Sequence, residues 1–206
     1  MPPVFIAIMP WLVLAATPAL AHHVMDNQLP QTFMQGLFSG LGHPLIGLDH
    51  AAFIICAGFF LGLVKRGEWG IAALIAGSLF GALMHLAEIS LPGGEILVAL
   101  SVIFIAGLLL ARRSISFAWV SIGLALAGVF HGSAYAESIF GAETTPLGAY
   151  LLGFSLIQFC VAFAALHLHR RSIVAREGRP NPLSKAIGVI TGMTGLLYLV
   201  INAAGA

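Results

Sequence analysis

Apolar residues run along this chain in blocks long enough to cross a bilayer, and short polar or basic junctions cut the blocks apart. A helix needs about 17–25 apolar residues to cross a hydrocarbon core of about 30 Å. Read this way, the pattern predicts six membrane-spanning helices, over about 44–64, 69–91, 95–111, 115–131, 146–169 and 186–203. The junctions are Lys65-Arg66-Gly67-Glu68, Pro92-Gly93-Gly94, Arg112-Arg113, a polar connection from Gly132 to Thr145, and a basic loop from Arg170 to Lys185.

The first block needs a break. From Phe33 to Val64 the sequence is almost unbroken apolar, and one straight helix of that length would measure roughly 48 Å at about 1.5 Å per residue. Gly42-His43-Pro44 is the expected break, because the residue before proline resists the α conformation and proline suits a first helical turn. The expectation is a short interfacial or re-entrant segment over about 31–42, ahead of helix 1. Further upstream, an apolar stretch from Val4 to Leu14 leads to Ala19-Leu20-Ala21, which reads as a signal peptide over residues 1–21. Its first residues carry neither Lys nor Arg, so an uncleaved first helix is the alternative.

Composition agrees with the pattern. Hydrophobic residues make up 59% of the chain and charged residues 8%, against about 25% charged in soluble domains. The fold class is therefore an all-α integral membrane protein, one six-helix transmembrane domain over 22–206, and not a soluble domain. Gly58-x-x-x-Gly62 and Gly77-x-x-x-Gly81, with Gly123, Gly128, Gly148 and Gly153, are expected at close helix contacts. Cys56 and Cys160 fall in apolar runs without a C-x-x-C pattern, so they read as small hydrophobes. The net charge of +1 says little, but its distribution says more. All nine Lys and Arg fall in alternate junctions: Lys65 and Arg66; Arg112 and Arg113; Arg170, Arg171, Arg176, Arg179 and Lys185. The positive-inside rule makes that side cytoplasmic and puts both mature termini in the periplasm.

That topology gives every polar residue a depth. His22, His23 and Asp26 lie outside; His43, Asp49 and His50 mark the outer end of helix 1; His85 and Glu88 the outer end of helix 2; His131 the outer end of helix 4, with Glu137 and Glu143 following. Only His167 and His169 sit at the cytoplasmic end, where they are expected to snorkel towards the interface. Ionisable groups in hydrocarbon are costly, and an outer gathering of them is a functional-site signal. Imidazole and carboxylate together suit nickel, cobalt, zinc or copper(II), whereas calcium or magnesium would take oxygens alone. The candidate metal residues are His43, Asp49, His50, His85, Glu88, His131, Glu137, His22 and His23. His43 and His50 stand roughly 10 Å apart along a regular helix, so they need an irregularity at Pro44 or Gly47, or ligands from other helices. His85 and Glu88, three apart, could share an ion or bond each other. Gly132 would permit a sharp exit from helix 4 and let Glu137 return towards the mouth of the bundle. Each could also be an ordinary structural group: a satisfied helix histidine, or a polar loop.

At these residues the chain resembles the HupE/UreJ family of small membrane proteins. His43 through Asp49-His50 fits that family's H-x5-D-H motif, and Phe130-His131-Gly132-Ser133-Ala134 fits the start of its second motif, F-H-G-x-A/V-H-G-x-E. Tyr135 and Ala136 stand where the second His and Gly would be, and the acid is displaced to Glu137. The resemblance implies a multi-pass protein of the bacterial inner membrane. It implies permeation of Ni2+, and sometimes Co2+, from the periplasm to supply hydrogenase or urease. No prosthetic group and no catalytic residue are expected. The partners are a divalent metal ion and the lipid bilayer, with no nucleic acid or nucleotide, and self-association is left open. Gln158 and Asn202 are the few polar groups deeper in the helices. The same ligands would also serve an intramembrane zinc-dependent hydrolase, with one open position for activated water. A buried apolar substrate groove would favour that alternative, and a polar route past Gln158 would favour the permease.

Overall fold

A computed structural model describes residues 29–112, 115–175 and 181–205. The expected signal peptide, His22, His23 and Asp26 lie outside them. Among the described residues the chain is entirely helical, with seven helices: α1 (Phe33–Ile46), α2 (Leu48–Leu61), α3 (Gly67–Leu86), α4 (Gly94–Ala111), α5 (Phe117–Glu137), α6 (Thr144–Ala175) and α7 (Pro182–Gly205). The last five are each long and apolar enough to cross a membrane, and α1 with α2 forms a pair bent by 79°. Large apolar side chains such as Phe80, Phe104, Trp119 and Ile190 stay exposed on the outside of the bundle. That arrangement places apolar groups against lipid, where exposure carries no hydrophobic cost.

The break in the first block is not where the proline suggests. Thr32 caps α1 through a reciprocal box with Gln35, and the helix then runs through Pro44 to Ile46. It ends at Gly47, whose φ of −68° and ψ of 107° leave the helical region. Pro44 removes one backbone donor and crowds the carbonyl four residues earlier. So close to the helix end, that loss is absorbed without a break, and the turn is displaced to Gly47. The second segment is accordingly 14 residues, Leu48–Leu61, not the expected span over about 44–64.

This segment is the centre of the molecule. Ten residues of α2 are buried, from Asp49 to Leu61, and it packs against α4, α6 and α7. Around it the other helices pair: α3 on α5, α1 on α6, and α4 on α7. Glycine sets the closest of these pairings. A methyl group at Gly81 would lie 1.9 Å from the Val129 carbonyl oxygen, and one at Gly40 would lie 2.2 Å from that of Tyr150. Gly123 and Gly148, expected at such contacts, have no neighbour within 4 Å of that position.

Two ends of the bundle differ in chemistry. At one end, Arg170 pairs with Glu68 and also bonds the Val64 carbonyl, and Arg112, His169 and Lys185 line one pocket there. Basic side chains from separate junctions thus share one end, as their alternation in sequence requires. His169 does not snorkel. It is buried, its Nδ1 lies 2.5 Å from the Phe59 carbonyl oxygen and its Nε2 lies 2.8 Å from Ser184 Oγ. It ties α6 to α2 and α7. The histidines near α1, α2 and α5 occupy the other end.

Candidate metal centre

Gly47 creates the site. The chain turn there brings the His43 ring, at the end of α1, to 6.4 Å from the His50 ring at the start of α2. Two imidazoles sharing one ion at about 2.1 Å from each nitrogen have centroids about 5–6 Å apart, so the separation is close to a shared geometry. Glycine here also leaves room for the His50 ring. A methyl group there would stand 2.7 Å from His50 Cδ2 and 3.4 Å from Asp49 Oδ1.

Asp49, in the first turn of α2, accepts a 2.9 Å hydrogen bond from the His50 backbone N–H. A helix N-terminus favours a carboxylate at this position through its partial positive charge. Asp49 is the one buried acid among the described residues, at 3% exposure. It therefore brings that one buried carboxyl group beside His50.

From α5 comes His131, fully buried, with Nδ1 2.8 Å from Nδ1 of His50. The hydrogen bonds define how protons are arranged. Ser101 Oγ donates to the Val98 carbonyl at 2.7 Å, so it accepts from His131 Nε2 at 2.9 Å. In neutral His131 the remaining nitrogen, Nδ1, must then accept, and His50 Nδ1 donates to it. The acceptor lone pair of His50 is left on Nε2. Ser138 Oγ, which donates to the Tyr135 carbonyl and lies 3.1 Å from the Tyr150 hydroxyl, also meets His43 Nδ1 at 3.1 Å. The partner of each Nδ1 thus orients the ring, as outer partners do around a metal.

Tyr135 completes the cluster. Its ring lies 4.7 Å from His50 and 5.5 Å from His43, and its hydroxyl is buried without a hydrogen-bond partner. Tyr150 closes the side towards α6, donating at 2.6 Å to the Tyr135 carbonyl. Phe53 stacks on His131 at 4.2 Å on the inner side. Among the described residues no group of three His, Cys, Asp or Glu side chains is poised together around one point. In this arrangement Nδ1 of His131 is engaged by its hydrogen bond with His50. Coordination by both rings requires that bond to open.

The other candidate ligands sit apart, and each for a local reason. α3 ends at Leu86, one residue after His85, and Glu88 has a left-handed φ of 61°. The helical i,i+3 relation of His85 and Glu88 is therefore absent. Glu88 is exposed, and the half-buried His85 meets the Phe140 ring at 5.9 Å. α5 does not exit at Gly132 but continues to Glu137, which is exposed at its end and does not return to the bundle mouth. Gly132 serves instead as a contact, where a methyl group would meet the Ser78 carbonyl oxygen at 1.9 Å. Ser101, Ser138 and Tyr150 escape a reading of the sequence, since hydroxyls in apolar helices carry no pattern of their own. Tyr135 is visible there only as a departure from a motif.

The family model described as HupE / UreJ protein matches residues 10–198 of the chain. No curated protein and no solved structure shows significant similarity to it.

Proposed function

The chain belongs to the HupE/UreJ family, a transporter and accessory family rather than an enzyme family, and from that premise we propose that it is a permease for Ni2+, with Co2+ as a second cargo. It supplies metalloenzyme maturation such as that of hydrogenase or urease. The observation that carries this reading is the bend at Gly47, where the His43 and His50 rings approach to 6.4 Å beside His131, Asp49 and Tyr135. The basic end is cytoplasmic by the positive-inside rule, so this site faces the periplasm. An arriving ion exchanges waters for the imidazoles of His43 and His50, with the Asp49 carboxyl group beside them. As the His50–His131 hydrogen bond opens, His131 becomes a third nitrogen ligand. Three neutral nitrogens and one nearby carboxylate bind a divalent ion without locking it in a closed four-ligand cage, as passage requires.

Uptake of radioactive nickel and cobalt into proteoliposomes tests the reading. The intact chain should accumulate both, and His43→Ala, Asp49→Ala and His50→Ala should each abolish most of that uptake. Unchanged uptake in all three would remove the site. One observation favours a second reading, an intramembrane zinc-dependent hydrolase: an apolar cleft of about 780 Å³ between α4 and α5 reaches Ser101, the partner of His131. Cleavage of a membrane peptide by zinc-loaded protein, with no ion uptake, would establish that alternative.

A further inference from the structure

Helix α6 carries Tyr150, Phe154 and Gln158 at successive four-residue steps, and all three are buried at 1% exposure or less. This spacing places them in one column on the face turned into the bundle. Tyr150 belongs to the histidine site. Phe154 follows, with its ring 5.5 Å from Tyr135 and 5.8 Å from Tyr150. Gln158 comes next, about 12 Å inward from Tyr150 at about 1.5 Å per residue.

Gln158 is not satisfied by its surroundings. Ser78 Oγ lies 3.2 Å from its Oε1 but also donates to the Leu74 carbonyl at 3.1 Å, and Gln158 Nε2 is buried without a partner. A buried donor with no acceptor forfeits its hydration for nothing, and leucine would fill the same space without that loss. Ser78 is fully buried as well, and it links this point to the metal centre. Its carbonyl lies directly against Gly132, the residue after His131. Two buried polar residues further in, Thr191 and His169, are committed elsewhere. Thr191 reaches the Ala52 carbonyl, and His169 has both nitrogens engaged.

We propose that Gln158 and Ser78 form a second coordination point for the transported divalent ion, one step inward from the histidines and separated from them by Phe154. The inference rests on the permease reading. A carboxamide presents either oxygen or nitrogen by rotating about its last bond, so Gln158 can turn its oxygen to an arriving ion while the serine hydroxyl supplies a second oxygen. Both donors are neutral and harder than imidazole, so they suit weak binding of a borderline ion. Weak binding is what an intermediate stop requires, since the ion must leave again.

The test uses the full chain, purified and reconstituted, with Ni2+ as the probe. Nickel binding is measured by calorimetry in detergent, uptake in proteoliposomes, and stability by thermal unfolding. Gln158→Leu should lower initial uptake by about tenfold while nickel affinity stays within about twofold and the unfolding temperature does not fall. Gln158→Glu should retain more nickel per protein and release it more slowly, because a charged ligand deepens the stop. Uptake by Gln158→Leu equal to that of the unsubstituted chain would overturn the proposal. So would a parallel loss of binding or stability, which would make Gln158 a structural group. Absence of uptake by the unsubstituted chain would instead remove the permease reading itself, and that control separates the two failures.

Discussion

Buried histidines occur at both ends of this bundle, and they are held in opposite ways. His169 uses both ring nitrogens on fixed partners, a backbone carbonyl of α2 and a serine of α7. His50 bonds through Nδ1 to another imidazole, that of His131, and carries its lone pair on Nε2. Residue type and burial are alike in the two regions; what holds the nitrogens differs. His169, bonded to a carbonyl and a serine of two other helices, fastens them, whereas His50, oriented through a single nitrogen, is still able to ligate, and His131 joins it only once their shared bond opens. The surrounding charge follows the same division. Arg112 and Lys185 share the His169 pocket and repel a cation, whereas Asp49 lies beside His50.

The largest expected effect breaks this comparison directly. His50→Ala removes the ring that bonds His131 and packs on Tyr135, and it should lower nickel uptake by about a hundredfold, with folding retained. His169→Ala should do the reverse. It leaves a buried carbonyl and a serine without their partner, at a cost of about 1–3 kcal/mol, while uptake per folded molecule stays near that of the unsubstituted chain. Uptake into proteoliposomes and thermal unfolding of the same preparations read both quantities. If His169→Ala lost uptake and kept its stability, the division between fastening and ligating histidines would collapse.

A smaller but more pointed effect is expected at Gly47. Its backbone angles suit alanine, so Gly47→Ala carries no conformational strain. The added methyl nevertheless meets His50 Cδ2 at 2.7 Å, and the ring must move. Uptake should fall by about tenfold with little change in unfolding temperature. Loss of stability without loss of uptake would show that Gly47 matters for the chain turn and not for ring placement.

These sites also show what can be read from sequence. That His43, Asp49, His50 and His131 share the end opposite the basic junctions follows from the alternation of those junctions, because charge asymmetry orders a polytopic chain before any tertiary contact is known. The need for an irregularity between His43 and His50 is equally legible, from length alone. Its position is not. Proline near a helix end is tolerated, and whether the turn falls at Pro44 or Gly47 depends on how α1 packs on α6 through Gly40. The continuation of α5 through Gly132 is hidden for a related reason. A glycine that reads as a helix exit is here the point where α3 approaches α5, and only the partner helix reveals that. Hydroxyl partners are illegible in principle at this level, since a serine in an apolar helix most often bonds its own preceding turn, as Ser155 does to Leu151.

Tyr135 sharpens the comparison in the other direction. Its hydroxyl is buried and unpartnered, so Tyr135→Phe removes a desolvated polar group and should leave stability unchanged or raise it by about 1 kcal/mol. If the hydroxyl faces the ion, nickel affinity should weaken by about threefold, measured by calorimetry. Improved stability with unchanged affinity would remove Tyr135 from the metal site and leave it a packing ring.

The smallest effects are expected where sequence suggests ligands and the fold leaves them aside. Glu88 and Glu137 are exposed, and His85 meets the Phe140 ring. Alanine at any of these three should change nickel uptake by less than about twofold, because groups at the exposed rim add little to a site in which Asp49 is the buried carboxyl group. The experiment gains force from ionic strength. Salt screens exposed charge within about 10 Å at 0.1 M, so any small loss from Glu88→Ala or Glu137→Ala should vanish in high salt, whereas the loss from Asp49→Ala should persist. A salt-resistant loss at Glu137 would place its carboxylate in contact with the ion and redraw the outer boundary of the site.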